Sequence, residues 1–279
     1  MYMIIMKKTL TFLLLGSFIL LNSCGSEQQD EQTYDYDRSD SLSTKYTREV
    51  TTIRGNIKET SGFYFTLKNL GAAYDGTLPN NPSKASSYTT ASRKCVGMGI
   101  YGADLNFLTV YEQNDQAKEF VENISKLADE LGIESAFDQS LFEQIVNTED
   151  SLDLREKSNL VSKAFRNAED KMYNEERALY ATLMVAGGWT ESVYLTSSLI
   201  VDNNISEKSV SDFWLLANNY SSIINMLTVF GDDADAQEML EKLKVMDKSI
   251  KMITDQPRIK MEGVEAVRTD ITKLRKSLI

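Results

Sequence analysis

From Tyr46 to the C-terminus, apolar residues recur three and four positions apart almost without a break. A chain with that period buries its apolar surface as amphipathic helices. Tyr46, Val50, Ile53, Ile57, Tyr64, Leu67 and Tyr74 trace one stripe that skips only Thr60 and Gly71. Val96, Ile100, Ala103, Phe107 and Val110 trace a second, and Phe120, Ile124, Leu127 and Leu131 a third. The second half repeats the pattern through Val161 to Leu183, Trp189 to Val201, Phe213 to Leu227, Met239 to Ile253 and Val264 to Leu278. No run alternates with the period of two that a half-buried strand needs, and the three prolines, Pro79, Pro82 and Pro257, all fall between stripes. The pattern predicts an all-α fold, an irregular array of eight or nine antiparallel helices forming one domain over residues 45–279.

Local signals place the ends of several helices. Gly132 stands where a left-handed C-cap belongs, with Ile133 behind it. Ser140 followed by Glu143 reads as a capping box, and Ser209 with Asp212 opens the helix carrying Phe213 and Trp214. Asp232 and Asp233 after Gly231 favour a new helix start through the dipole. Asp233, Asp235 and Gln237 also resemble a calcium loop, but Glu238 sits where that loop needs glycine. The Val161–Leu183 stripe is expected to run toward Gly187-Gly188, with a separate helix beginning at Trp189.

The first 23 residues have a different grammar. Lys7 and Lys8 precede an apolar run from Leu10 to Leu21, followed by Asn22, Ser23 and Cys24. These are the basic, apolar and small-residue regions of a secretory signal, in a run too short to span a bilayer. Leu21-Asn22-Ser23-Cys24 resembles the lipobox of bacterial lipoproteins, in which Cys24 would carry the acyl chains, palmitate among them, and become the mature N-terminus. Removing residues 1–23 takes away two lysines and no acid, so the formal charge goes from −11 to −13. Of the two cysteines, only Cys95 then remains without a lipid, and it is expected to be a small buried hydrophobe.

Residues 24–44 carry six acids against Arg38 and few apolar side chains, the composition of a disordered tether. About 20 flexible residues reach about 25 Å. Their charge argues against binding nucleic acid or anionic headgroups, both of which need clustered Lys and Arg.

The chain has no histidine. That excludes Ser-His-Asp and Cys-His nucleophile pairs, His-ligated zinc and imidazole switches, so chemistry here would run on carboxylates and tyrosines. Gly97-Met98-Gly99-Ile100-Tyr101-Gly102 matches the spacing of a dinucleotide-binding loop, but no strand feeds it and the helical period runs straight through. Each interior glycine costs about 1 kcal/mol relative to alanine, so these are expected to let another backbone approach. Gly187-Gly188 repeats the device. Both stretches are followed by an acid, Asp104 or Glu191, with aromatics beside it: Tyr101 and Tyr111 in the first, Trp189 and Tyr194 in the second. The five residues Tyr101, Asp104, Trp189, Glu191 and Tyr194 therefore form the candidate ligand site where the two helices cross. Asp104 and Glu191 would be paired carboxylates for acid-base work or a cation. The competing reading makes each acid a structural hydrogen-bond acceptor, for a tyrosine or Arg93.

GIYGADLNFLTVYEQ (Gly99–Gln113) and MVAGGWTESVYL (Met184–Leu195), together with the lipobox, resemble a family of Bacteroidota lipoproteins without an assigned activity. The resemblance implies a helical, envelope-anchored protein and carries no catalytic residue across. The acidic stretch after Cys24 is similar to the export signals of surface lipoproteins in that group. Asp40-Ser41-Leu42 and Asp150-Ser151-Leu152 look like its O-glycosylation acceptor, so Ser41 is a candidate glycan site. Anchor, tether and the want of a complete catalytic set together lead to an expectation: a non-enzymatic binding or scaffolding lipoprotein at the outer membrane, with an envelope protein as partner and no cofactor or metal. A carboxylate-dependent enzyme and a small-ligand binder are the alternatives.

Overall fold

A computed structural model describes residues 44–52, 62–137, 139–146 and 152–279. The signal sequence, Cys24, the tether as far as residue 43, Ser41, Ile53, Ile57 and Ser151 lie outside the described residues. Helical residues 44–52 and 62–69 precede α1 (Ala91–Val110), α2 (Asn114–Glu130), α3 (Gln139–Val146), α4 (Leu154–Asn174) and α5 (Ala178–Asp202). Then come α6 (Phe213–Thr228), α7 (Ala234–Leu243), α8 (Asp247–Thr254) and α9 (Met261–Leu278). Every regular element among the described residues is helical, about ten to eleven helices in all, and none is a strand.

The count exceeds the eight or nine read from periodicity, and the reasons are local. The Met239–Ile253 stripe is continuous in sequence, but a 3-10 turn at Lys244–Met246 divides it into α7 and α8. A tightened turn shifts the helix axis while hardly disturbing the apolar spacing. The boundary expected at Gly187-Gly188 is also displaced. α4 ends at Asn174, α5 begins at Ala178, and the two glycines lie in the middle of α5. The true break is made by Glu176, which takes the left-handed conformation at φ 59°. Glu176 N then donates to Tyr173 O and Arg177 N to Met172 O, the paired bonds of a Schellman cap. The same cap closes α2 at Gly132 as expected, with φ 66°, and closes α1 at Glu112 and α5 at Asn204 without glycine. Asp233 caps α7 by accepting from Asp235 N at 2.8 Å, so the acidic turn there is a helix start. Asp153 and Glu156 form a full capping box at the head of α4.

α1 and α5 are buried on nearly every side and make the most extensive contact of any pair. Helices that are apolar all round belong at the centre of a bundle. α2 and α4 pack on α1; α4, α6 and α9 pack on α5, and α7 and α8 fill in against α6 and α9. Burying side chains such as Leu105, Phe107 and Leu195, none of which shows any surface, contributes about 1.5–3 kcal/mol each.

The central pair is not antiparallel. Val96 meets Gly187, Gly99 meets Gly188 and Asp104 meets Glu191, so both helices run in the same sense. Short connections do force antiparallel neighbours, but α1 and α5 are joined through three intervening helices and are free of that constraint.

Candidate functional site

α1 starts at Thr90, whose hydroxyl accepts from Arg93 N at 3.2 Å, and continues through all three glycines of Gly97–Gly102. Each glycine makes room for a different neighbour. A Cβ on Gly99 would stand 1.9 Å from Met184 O, and one on Gly187 would stand 2.2 Å from Val96 O. Real Cβ atoms do not approach a carbonyl so closely, so α1 and α5 touch backbone to backbone here, as the glycines predict. The ring of Tyr88 fills the notch at Gly97, and that of Phe165 fills the notch at Gly102.

One turn beyond this contact, Asp104 and Glu191 face each other with no exposed surface. A third charge joins them from α9. Arg275 Nε donates to Glu191 Oε2 at 2.6 Å, its Nη2 donates to Leu78 O at 3.1 Å, and its guanidinium lies 4.2 Å from the centre of the Tyr194 ring. Asp104 Oδ2 accepts from Asn80 N at 3.1 Å. The other oxygens, Asp104 Oδ1 and Glu191 Oε1, receive no hydrogen bond from any third residue among those described.

The charges decide the protonation. Two carboxylates against one guanidinium would leave a net buried negative charge, which costs several kcal/mol in a dry interior. A single proton on Asp104 makes the cluster neutral and supplies the hydrogen bond between the two carboxyls. Burial, and then the Glu191 charge, hold the Asp104 pKa well above its ordinary value. Burial also raises that of Glu191, against the pull of Arg275 and of the Asp104 hydrogen bond. Glu191 therefore carries the charge opposite Arg275, and Asp104 carries the proton.

A loop from Leu78 to Pro82 closes over the cluster. Besides the bonds to Asp104 and Arg275, Tyr101 Oη donates to Asn81 O at 3.0 Å, Asn80 Nδ2 donates to Tyr88 Oη at 3.3 Å, and Asn123 Nδ2 of α2 donates to Pro82 O at 3.1 Å. Burial raises the phenol pKa values of Tyr101 and Tyr88, so both stay neutral donors or acceptors. Cys95 is fully buried with its thiol pushed up to about 12 by burial, as expected of an inert hydrophobe.

The five candidate residues thus divide between two places. Asp104, Glu191 and Tyr194 meet around Arg275, and Tyr101 ties down the loop above them. Trp189 faces away: its Nε1 donates to Leu216 O at 2.8 Å and it lines a cavity of about 130 Å³ on the other side of the crossing. The cation that pairs with the acids is Arg275 and not Arg93. One signal for it exists in the sequence, because Arg275 follows Ile271 by four and precedes Leu278 by three, a charged residue beside an apolar seam. Asn80 gave no signal beyond membership of a loop.

Among the described residues, no group of three or more Cys, Asp or Glu is gathered where a metal could sit. No helix among them is long and apolar enough to cross a membrane. No family model matches the chain, and neither a curated protein nor a solved structure is detectably similar to it.

Proposed function

We propose that this is a lipid-anchored protein of the bacterial cell envelope, held at the outer membrane through Cys24, whose helical body acts as a non-enzymatic scaffold for an envelope protein. The observation that carries the reading is the use to which the paired carboxylates are put. Acid-base catalysis needs a carboxyl that touches substrate or is one water away from it. Asp104 and Glu191 instead bind a backbone amide, an arginine and each other beneath a closed loop. They join α1, α5, α9 and the Leu78–Pro82 loop, which is the work of a buttress. The acidic tether supports the anchor half of the reading, since a self-repelling segment of that length holds a rigid body off a membrane.

Palmitate labelling of wild type and Cys24→Ser in the native host, followed by affinity capture from membranes, tests both halves. The label is expected to disappear in Cys24→Ser, with release from the membrane fraction, and one envelope protein is expected to copurify reproducibly with the wild type. Unchanged labelling rejects the anchor, and repeated capture of nothing above background rejects the scaffold.

A further inference from the structure

The cavity beside Trp189 shares no hydrogen bond given above with the carboxylate cluster, though Tyr64 in its wall feels the charges of Asp104 and Glu191. α4 and α6 both pack on α5, and the cavity lies between them beside the α1–α5 crossing. Gly99, Gly102 and Gly188 line its base with Ala103, Met184 and Val185, and the Phe165 ring is seated on Gly102. Phe165 and Trp189 stand over it as aromatic walls. At about 130 Å³ the space is close to the roughly 150 Å³ of an apolar cavity known to accept benzene, and well below a drug-sized site.

The lining is mainly apolar, with Asn106, Ser162, Ser192 and Asn219 as its uncharged polar side chains. Ser192 of α5 lines it, and beside Ser192 lies Tyr64, whose hydroxyl is buried without a hydrogen-bond partner. A buried hydroxyl left unpaired costs about 1–3 kcal/mol. A relay would remove the deficit: Tyr64 Oη turned to donate to Ser192 Oγ leaves Ser192 free to donate to an acceptor in the cavity. Arg166 and Glu169 also line the space with opposite charges, so the wall offers no net charge to a ligand.

We propose that this cavity is a binding site for a small, uncharged, single-ring aromatic compound carrying one hydrogen-bond acceptor, with the ring between Phe165 and Trp189 and the acceptor on Ser192. The inference stands on the cavity alone and does not depend on the anchor or on a protein partner.

Equilibrium dialysis of the full chain in lipid nanodiscs, with phenol, benzene and benzoate as probes, provides the test. Ala103 and Val185 line the cavity from different helices, so Ala103→Phe and Val185→Phe each fill it, and comparison with wild type removes uptake by lipid. Wild type is expected to bind one phenol saturably, and each filled variant that folds is expected to lose that binding. Ser192→Ala is expected to weaken phenol about tenfold and leave benzene unchanged, the effect of one hydrogen bond. Non-saturable uptake that is the same in wild type and filled variants overturns the site. Benzoate binding more tightly than phenol overturns the uncharged class, and equal phenol binding by Ser192→Ala overturns the role of Ser192.

Discussion

Asp104 keeps a proton in the folded protein that it would release, near its ordinary value of 3.8, in the unfolded chain. The sign of the resulting pH dependence follows from linkage. The contribution of Asp104 to stability is fully present below about pH 4 and is lost as pH climbs toward the raised native pKa, with a slope of about 1.4 kcal/mol per pH unit at its steepest. Asn in that position presents the same acceptor to Asn80 N and an N–H to Glu191 without the proton. Asp104→Asn should therefore match wild type in urea unfolding near pH 4 and become progressively the more stable protein as pH rises. A difference that stays constant with pH would show that Asp104 is ionised in the native state. At this scale the acids were legible, because charged residues beside glycines on otherwise apolar helices demand partners. Arg275 was harder to read, since a cation in the last turn of a C-terminal helix is also what the helix dipole favours.

Glycine plays two separate parts in the helices, and substitution distinguishes them. Gly99 has ordinary helical backbone and no space, so Gly99→Ala pushes α1 and α5 apart and should cost about 3 kcal/mol or more. Gly132 has ample space but φ 66°, so Gly132→Ala should cost only about 1 kcal/mol. The converse holds at the α4–α5 break, where Glu176 occupies the left-handed region at φ 59°. Glu176→Gly should raise stability by about 1 kcal/mol, read as a higher urea midpoint with an unchanged slope. The all-helical class and the close approach of α1 and α5 could be read from spacing and from glycines that are otherwise costly. The α4–α5 break could not, because a Schellman cap built on Glu176 leaves neither glycine nor proline in the sequence. The 3-10 turn inside the Met239–Ile253 stripe was hidden for a related reason, since it leaves the apolar period intact.

In the molecule as a whole, Arg275 connects the end of the chain to its centre. It reaches from α9 to Glu191 of α5 and to Leu78 O, and through Glu191 it fixes the protonation of Asp104 on α1. The scaffold reading rests on this cluster holding the body together rather than acting on a substrate. Arg275→Leu removes the only cation bonded to the pair among the described residues and strands Glu191, the situation in which a broken buried ion pair costs about 3–5 kcal/mol. The decisive measurement is urea unfolding of Arg275→Leu beside wild type, paired with capture of the proposed envelope partner under conditions where both are folded. A loss of about 3 kcal/mol or more at neutral pH, with capture unchanged, is the predicted result; wild-type stability together with abolished capture would contradict it.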